Sequence, residues 1–131
     1  MAIKVTRALK GKELDIATAL ALGFTPEVSA FETLYWHSEN FNAYWYGGPV
    51  EEYRPTVNWK NAGGFIDEFG IEFKWVSDAT LETYSYTLEE KHAHGSCHLE
   101  SACRLIVLSF LGESVDIPED VLEVYNGKSS Y

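Results

Sequence analysis

The sequence is poor in cysteine, methionine and basic residues, and it has no long apolar run. Its 131 residues hold two cysteines and one methionine. Two cysteines cannot build the disulfide framework of a small secreted domain, so a reducing cytoplasm is the expected compartment. Ten Lys and Arg face twenty Asp and Glu, for a formal charge of −10. That balance argues against direct binding to nucleic-acid phosphates, because counterion release needs a basic face. Nothing approaches the roughly 20 apolar residues that cross a bilayer as a helix. No repeat and no linker-like stretch divides the chain, so one compact domain over residues 1–131 is expected.

The charge is unevenly placed. Lys4, Arg7, Lys10 and Lys12 stand without an acid in the first twelve residues, so the rest carries −14 (−10 less the +4 of that segment). Basic residues followed by Ile16–Phe24 superficially resemble a signal peptide. Glu13 and Asp15 interrupt that reading, and the segment is read as an amphipathic helix. Leu14, Ala17, Thr18, Ala21 and Leu22 share one helical face over Gly11–Leu22, with Gly23 and Pro26 ending it. A second main helix is expected from about Ser96 to Leu111. It carries an apolar stripe through Leu99, Ala102, Cys103, Ile106, Val107 and Phe110, and Gly112 closes it.

Strands are sparser. Ala2–Ala8 alternates loosely, and Ile71, Phe73 and Trp75 alternate with Glu72 and Lys74, the cleanest strand pattern present. Tyr84–Leu88 is the expected antiparallel partner across a Ser77–Glu82 turn. Glu89–Gly95 reads as a loop, Glu27–Leu34 as a short helical turn, and Glu119–Val124 after Pro118 as another. The fold class expected is α+β: two main helices packed on a small antiparallel sheet. Seven aromatics crowd residues 31–46 (Phe31, Tyr35, Trp36, Phe41, Tyr44, Trp45 and Tyr46). No single period covers them, so the segment could be a hairpin or insert packed on the domain, an oligomer contact or a stacking platform.

The densest stretch runs from Tyr53 to Ile71. Pro55 fixes its own backbone and drives Arg54 toward extended geometry. Asn58 suits a turn or helix N-cap. Gly63-Gly64 reads as a bared backbone feeding a short helix, Phe65–Phe69, closed by Gly70. Exposed amides at such a junction can hold an anion. The candidate ligand-binding set is therefore Tyr53, Arg54, Pro55, Asn58, Trp59, Gly63 and Gly64, with Arg104 of the second helix as a guanidinium grip. A plain core role for Trp59 and a surface salt bridge for Arg104 are the competing readings. Neither a Walker nor a Rossmann spacing is present, so no cofactor is expected.

No residue set announces a reaction. His92-x-His94-x-x-Cys97-His98 offers metal-ligand chemistry at the wrong spacing for paired knuckles, so no metal and no catalytic residue are assigned. On one helix, Cys97 and Cys103 would stand roughly 9 Å apart, too far for a disulfide.

The ordered motifs have a family likeness. Leu14-Asp15-Ile16-Ala17-Thr18-Ala19 with Gly23 comes first. Tyr53-x-Pro55-x-x-Asn58-Trp59-x-x-x-Gly63-Gly64-x-Ile66 and Gly70-Ile71 follow. Gly95, Ala102-x-Arg104-x-x-Val107, Leu111-Gly112-Glu113 and Val115-x-Ile117-Pro118 complete the series. This order resembles the NinX-like family of small bacteriophage proteins over nearly the whole chain except about 27–46, which the resemblance marks as an aromatic-rich insertion. The sequence departs from that pattern at Asn58, where the family carries an acid, and at Gly64, where it carries a proline. The resemblance implies an accessory phage protein acting in the cytoplasm of the infected host. The expected function is that of a non-enzymatic binder which counters host defence by holding a small polar or anionic, nucleotide-like ligand. The alternative is an acidic interaction module that binds a host or phage protein, and a homo-oligomer is compatible with either.

Overall fold

A computed structural model describes residues 3–39, 44–88 and 91–127. The described residues form four α-helices and three small antiparallel sheets, a compact α+β arrangement. Helix α1 spans Gly11–Ala21 and α3 spans His98–Leu111. Six consecutive residues of α1, Leu14–Ala19, are buried, so this helix is enclosed on all sides rather than amphipathic. In α3, Leu99, Ser101–Cys103 and Leu105–Leu108 are buried. The two helices pack on each other, which sets the core. Both end where expected, with Gly23 at φ +90 and Gly112 at φ +89 supplying the left-handed residue that stops a helix.

The expectation of one sheet under both helices is corrected. Strands β1 (Ile3–Val5) and β7 (Ser114–Asp116) pair the two ends of the described chain. Strands β2 (Thr25–Val28) and β3 (Leu34–His37) make a hairpin. Strands β4 (Glu72–Trp75), β5 (Leu81–Tyr84) and β6 (His92–Gly95) form a three-stranded meander, and only α3 packs on it extensively. Among the described residues, every strand is three or four residues long.

Three local expectations fail for identifiable reasons. Residues 27–34 are not helical. The Ser29 hydroxyl accepts from the Phe31 and Thr33 amides, each at 3.2 Å, and Glu32 takes φ +60, which closes a hairpin turn. Leu34 and Trp36 then alternate inward against Tyr35 and His37. Pro26 is tolerated because β2 is an edge strand. The partner of β4 is Leu81–Tyr84 rather than Tyr84–Leu88. Val76 N–H donates to Thr80 O at 3.0 Å, so the tighter turn wins. Residues 92–95, read as loop, are strand β6.

Helix α2 runs from Trp59 to Glu68 rather than from Phe65. Asn58 is its N-cap, its side chain accepting from Lys60 N–H at 2.9 Å. Ala62, Phe65, Ile66 and Phe69 recur at helical spacing, and their burial outweighs the cost of about 1 kcal/mol for each glycine inside the helix. Gly70 has φ +57, as expected of the closing residue. A final helix, α4 (Glu119–Tyr125), follows Pro118. Among the described residues, no helix is long and apolar enough to cross a membrane.

Candidate ligand site

The segment between the 3-10 turn at Val50–Glu52 and α2 is held from four directions. The Asp15 carboxylate, fully buried on α1, pairs with the Arg54 guanidinium and accepts the Thr56 amide at 2.8 Å. Asn61 Oδ1 accepts Arg54 N–H at 2.9 Å. The Arg54 carbonyl accepts from Val57 and Asn58. From the far side, Trp36 Nε1–H donates to Tyr125 Oη at 3.1 Å, and that hydroxyl donates to the Tyr53 carbonyl at 3.1 Å. Burial raises the Asp15 carboxyl above its ordinary 3.8, against the lowering pulls of the Thr56 amide and Arg54. Residues 53–56 thus form a clamped spacer between α1 and α2.

Among the described residues, the eight expected binding residues point in different directions and do not converge on one cavity. Tyr53 is fully buried, edge-on to Phe24 (5.6 Å) and tilted against Tyr46 (5.0 Å). Its hydroxyl has no hydrogen-bond partner among the described residues, and burial drives its pKa well up. Arg54 is committed to Asp15, Pro55 is buried, and Asn58 caps α2. Gly63 and Gly64 lie inside α2, so their amides belong to the helix and are not bared donors. Trp59 is not a core plug, being 57% exposed. Its ring stands 6.1 Å from that of His98, which also meets Phe73 at 4.8 Å and Trp75 at 6.0 Å. Arg104 faces elsewhere. It donates to Leu9 O and His94 O, both at 2.9 Å, and to Glu100 at 3.1 Å. Its guanidinium secures the β6 edge, and the grip expected of it near Trp59 is absent.

Two of the eight line hollows, in different places: Arg104 lines one with Arg7, Ala93, His94 and Leu108, and Gly64 lines another together with residues that the sequence left unassigned. Tyr44, Trp45 and Tyr46 face Lys60, Asn61 and Gly64 of α2 across a space of about 160 Å³. Tyr44 rests on Phe69 (5.5 Å), and Tyr46 on Tyr53, so two walls are braced by the core. Gly47 and Gly48 explain the tight return of the aromatic run. A Cβ on Gly47 would lie 2.4 Å from the Trp45 ring, and one on Gly48 would lie 2.8 Å from Tyr46 Oη. That hydroxyl donates to Pro49 O at 3.2 Å. Burial, with Glu52 and Glu51 nearby, pushes its pKa up to about 12, so it stays neutral. Phe41, Asn40 and Asn42 of the aromatic segment lie outside the described residues.

The His/Cys run is split by the β6–α3 junction. His92 Nδ1 and His94 Nε2 approach Glu82 at 3.5 and 3.4 Å on the outer sheet face. Cys97 caps α3, and His98 turns to the inner face. Among the described residues, no group of three or more His, Cys, Asp and Glu is arranged to hold a metal ion. Both cysteines are free, Cys97 exposed and Cys103 buried. No model of a known protein family matches the sequence, and a search of curated proteins finds no match.

Proposed function

We propose that this chain is a non-enzymatic binding protein for a small anionic ligand with a planar, nucleotide-like part. The ligand would sit in the hollow between Tyr44-Trp45-Tyr46 and the first turns of α2. The observation that carries this reading is the convergence of three consecutive aromatic residues on a lysine, a side-chain amide and a glycine. Aromatic faces stack on any base, Lys60 supplies a positive charge in an otherwise acidic protein, and Gly64 lets a ligand approach the helix backbone. The space suits a phosphate or one ring, so the remainder of a nucleotide would lie across the mouth. The resemblance to NinX-like proteins extends this to an accessory phage protein that captures a host defence signal in the infected cytoplasm.

Calorimetric titration with mono- and dinucleotides tests the site. Binding by the wild type should weaken roughly tenfold or more in Lys60→Ala, which removes a charged hydrogen-bond donor, and should fall in Trp45→Ala. No heat with any nucleotide, or equal affinity in Lys60→Ala, overturns the reading. The second reading, an acidic protein-interaction module, is favoured by Phe31. It stands 90% exposed at the tip of the β2–β3 hairpin, between the exposed Glu27 and Glu32. It predicts salt-sensitive capture of a basic host or phage protein that is lost in Phe31→Ala.

A further inference from the structure

The two edges of the β4–β5–β6 sheet are treated differently. Strand β6 is closed to further pairing: Arg7 donates to His92 O at 3.2 Å and Arg104 to His94 O at 2.9 Å. Guanidiniums on edge carbonyls block a new strand. Among the described residues, strand β4 has no such cover. Glu72, Lys74 and Trp75 are exposed and Phe73 is half-buried. Trp75 at 52%, Val76 at 50% and Trp59 at 57% exposure continue an apolar surface along it.

The hairpin fixes which backbone groups face outward. Val76 N–H bonds Thr80 O, and Trp75 stands opposite Leu81. Backbone bonding alternates along an antiparallel pair, so even-numbered residues of β4 bond to β5 and odd-numbered ones point away. The amide and carbonyl of Phe73 and of Trp75 therefore face the open edge. Among the described residues, no hydrogen bond outside the sheet's own ladder uses them.

We propose that β4 pairs antiparallel with β4 of a second copy of this chain, about a two-fold axis at Phe73, giving a continuous six-stranded sheet. The partner follows from charge. An axis at Phe73 sets Glu72 opposite the partner's Lys74 and Lys74 opposite the partner's Glu72, all on the outer face. Phe73 meets its own copy on the inner face, with Ile71 across from the partner's Trp75. Moving the axis one residue either way puts Glu72 against Glu72 or Lys74 against Lys74, which like charges disfavour. Only the Phe73 register joins outward-facing backbone groups and opposite charges together. Neither Glu72 nor Lys74 has an ion-pair partner among the described residues. The interface is isologous, as a two-fold dimer requires. A contact confined to one short strand on each copy belongs with weak, reversible interfaces.

Sedimentation velocity over a concentration series tests this on the wild type, Glu72→Lys, Lys74→Glu and the double reversal. Both side chains are exposed, so the fold should persist, as circular dichroism checks. The wild type should dimerise, and each single reversal should weaken the dimer roughly tenfold, because two pairs become repulsive at once. The double reversal should restore it. Tryptophan emission should shift to the blue on dimerisation, as Trp59 and Trp75 are covered. A wild type that stays monomeric up to near-millimolar concentration overturns the proposal. So do single variants that dimerise like the wild type, or a double variant that stays monomeric.

Discussion

Asp15 shows how one buried charge shapes this molecule. It is fully buried on a helix enclosed on all sides, and each of its oxygens accepts one hydrogen bond, from the Thr56 amide and from Arg54. Desolvation exceeds those lowering contributions, so the carboxyl sits above its ordinary 3.8. A carboxyl with a higher pKa folded than unfolded binds its proton more readily in the folded state. Its contribution to stability is therefore fullest below the unfolded value and is lost as pH rises through the folded one. Asp15→Asn keeps an acceptor for the Thr56 amide and removes the titration. The difference in unfolding free energy, wild type minus variant, should therefore move in favour of the wild type as pH falls from about 7 to about 4. Urea denaturation at a series of pH values measures it. A trend of the opposite sign would mean that the Arg54 pair outweighs desolvation. Arg54 itself is 28% exposed and keeps contact with water in the variant.

Helix α2 tests whether Gly63-Gly64 is a functional loop or two costly helical positions. A Cβ on Gly63 meets nothing within 4 Å, and Gly63 is not among the glycines with positive φ. Gly63→Ala should therefore stabilise the protein by roughly 0.5–1 kcal/mol through reduced entropy of the unfolded chain. A loss of stability in denaturant titration would show that the position needs glycine. The same helix marks what was legible in the sequence. Asn58 as cap and Gly70 as terminator were readable, because each acts through its own backbone. The ten-residue extent was not, because a glycine pair reads locally as a break and only tertiary burial of Ala62 and Phe65 overrides it. The strand Glu72–Trp75 and both long helices followed from periodicity. The hairpin at 25–37 was hidden because Pro26 reads as a stop and the turn depends on Ser29. For the site, the chemistry expected around Gly64 has counterparts on different residues: aromatic walls from 44–46 in place of Tyr53 and Trp59, and Lys60 in place of Arg104. The available signal was Tyr44-Trp45-Tyr46 followed at once by Gly47-Gly48, a run of rings that only glycines allow to fold back.

At the scale of the whole molecule, what joins distant segments is a short polar relay inside an apolar core. Tyr125 of α4 accepts from Trp36 of the hairpin and donates to the Tyr53 carbonyl, contacts that span 89 and 72 residues of sequence. Three pieces distant in sequence meet on one hydroxyl: the β2–β3 hairpin, the clamped segment before α2 and the last helix. Burial raises the Tyr125 pKa, so the hydroxyl stays protonated and can donate throughout the physiological range. Tyr125→Phe keeps the ring and strands two buried groups, the indole N–H and a carbonyl, each of which costs about 1–3 kcal/mol without a partner. A loss of roughly 2–6 kcal/mol in urea unfolding is the expected result. The slope against denaturant should stay unchanged, because the three pieces remain packed through the shared core and still unfold together. A smaller slope with a second transition would mean that the hydroxyl, rather than the surrounding apolar contacts, is what makes the hairpin and α4 part of one cooperative unit. A loss under about 0.5 kcal/mol would mean that water replaces the hydroxyl on both groups.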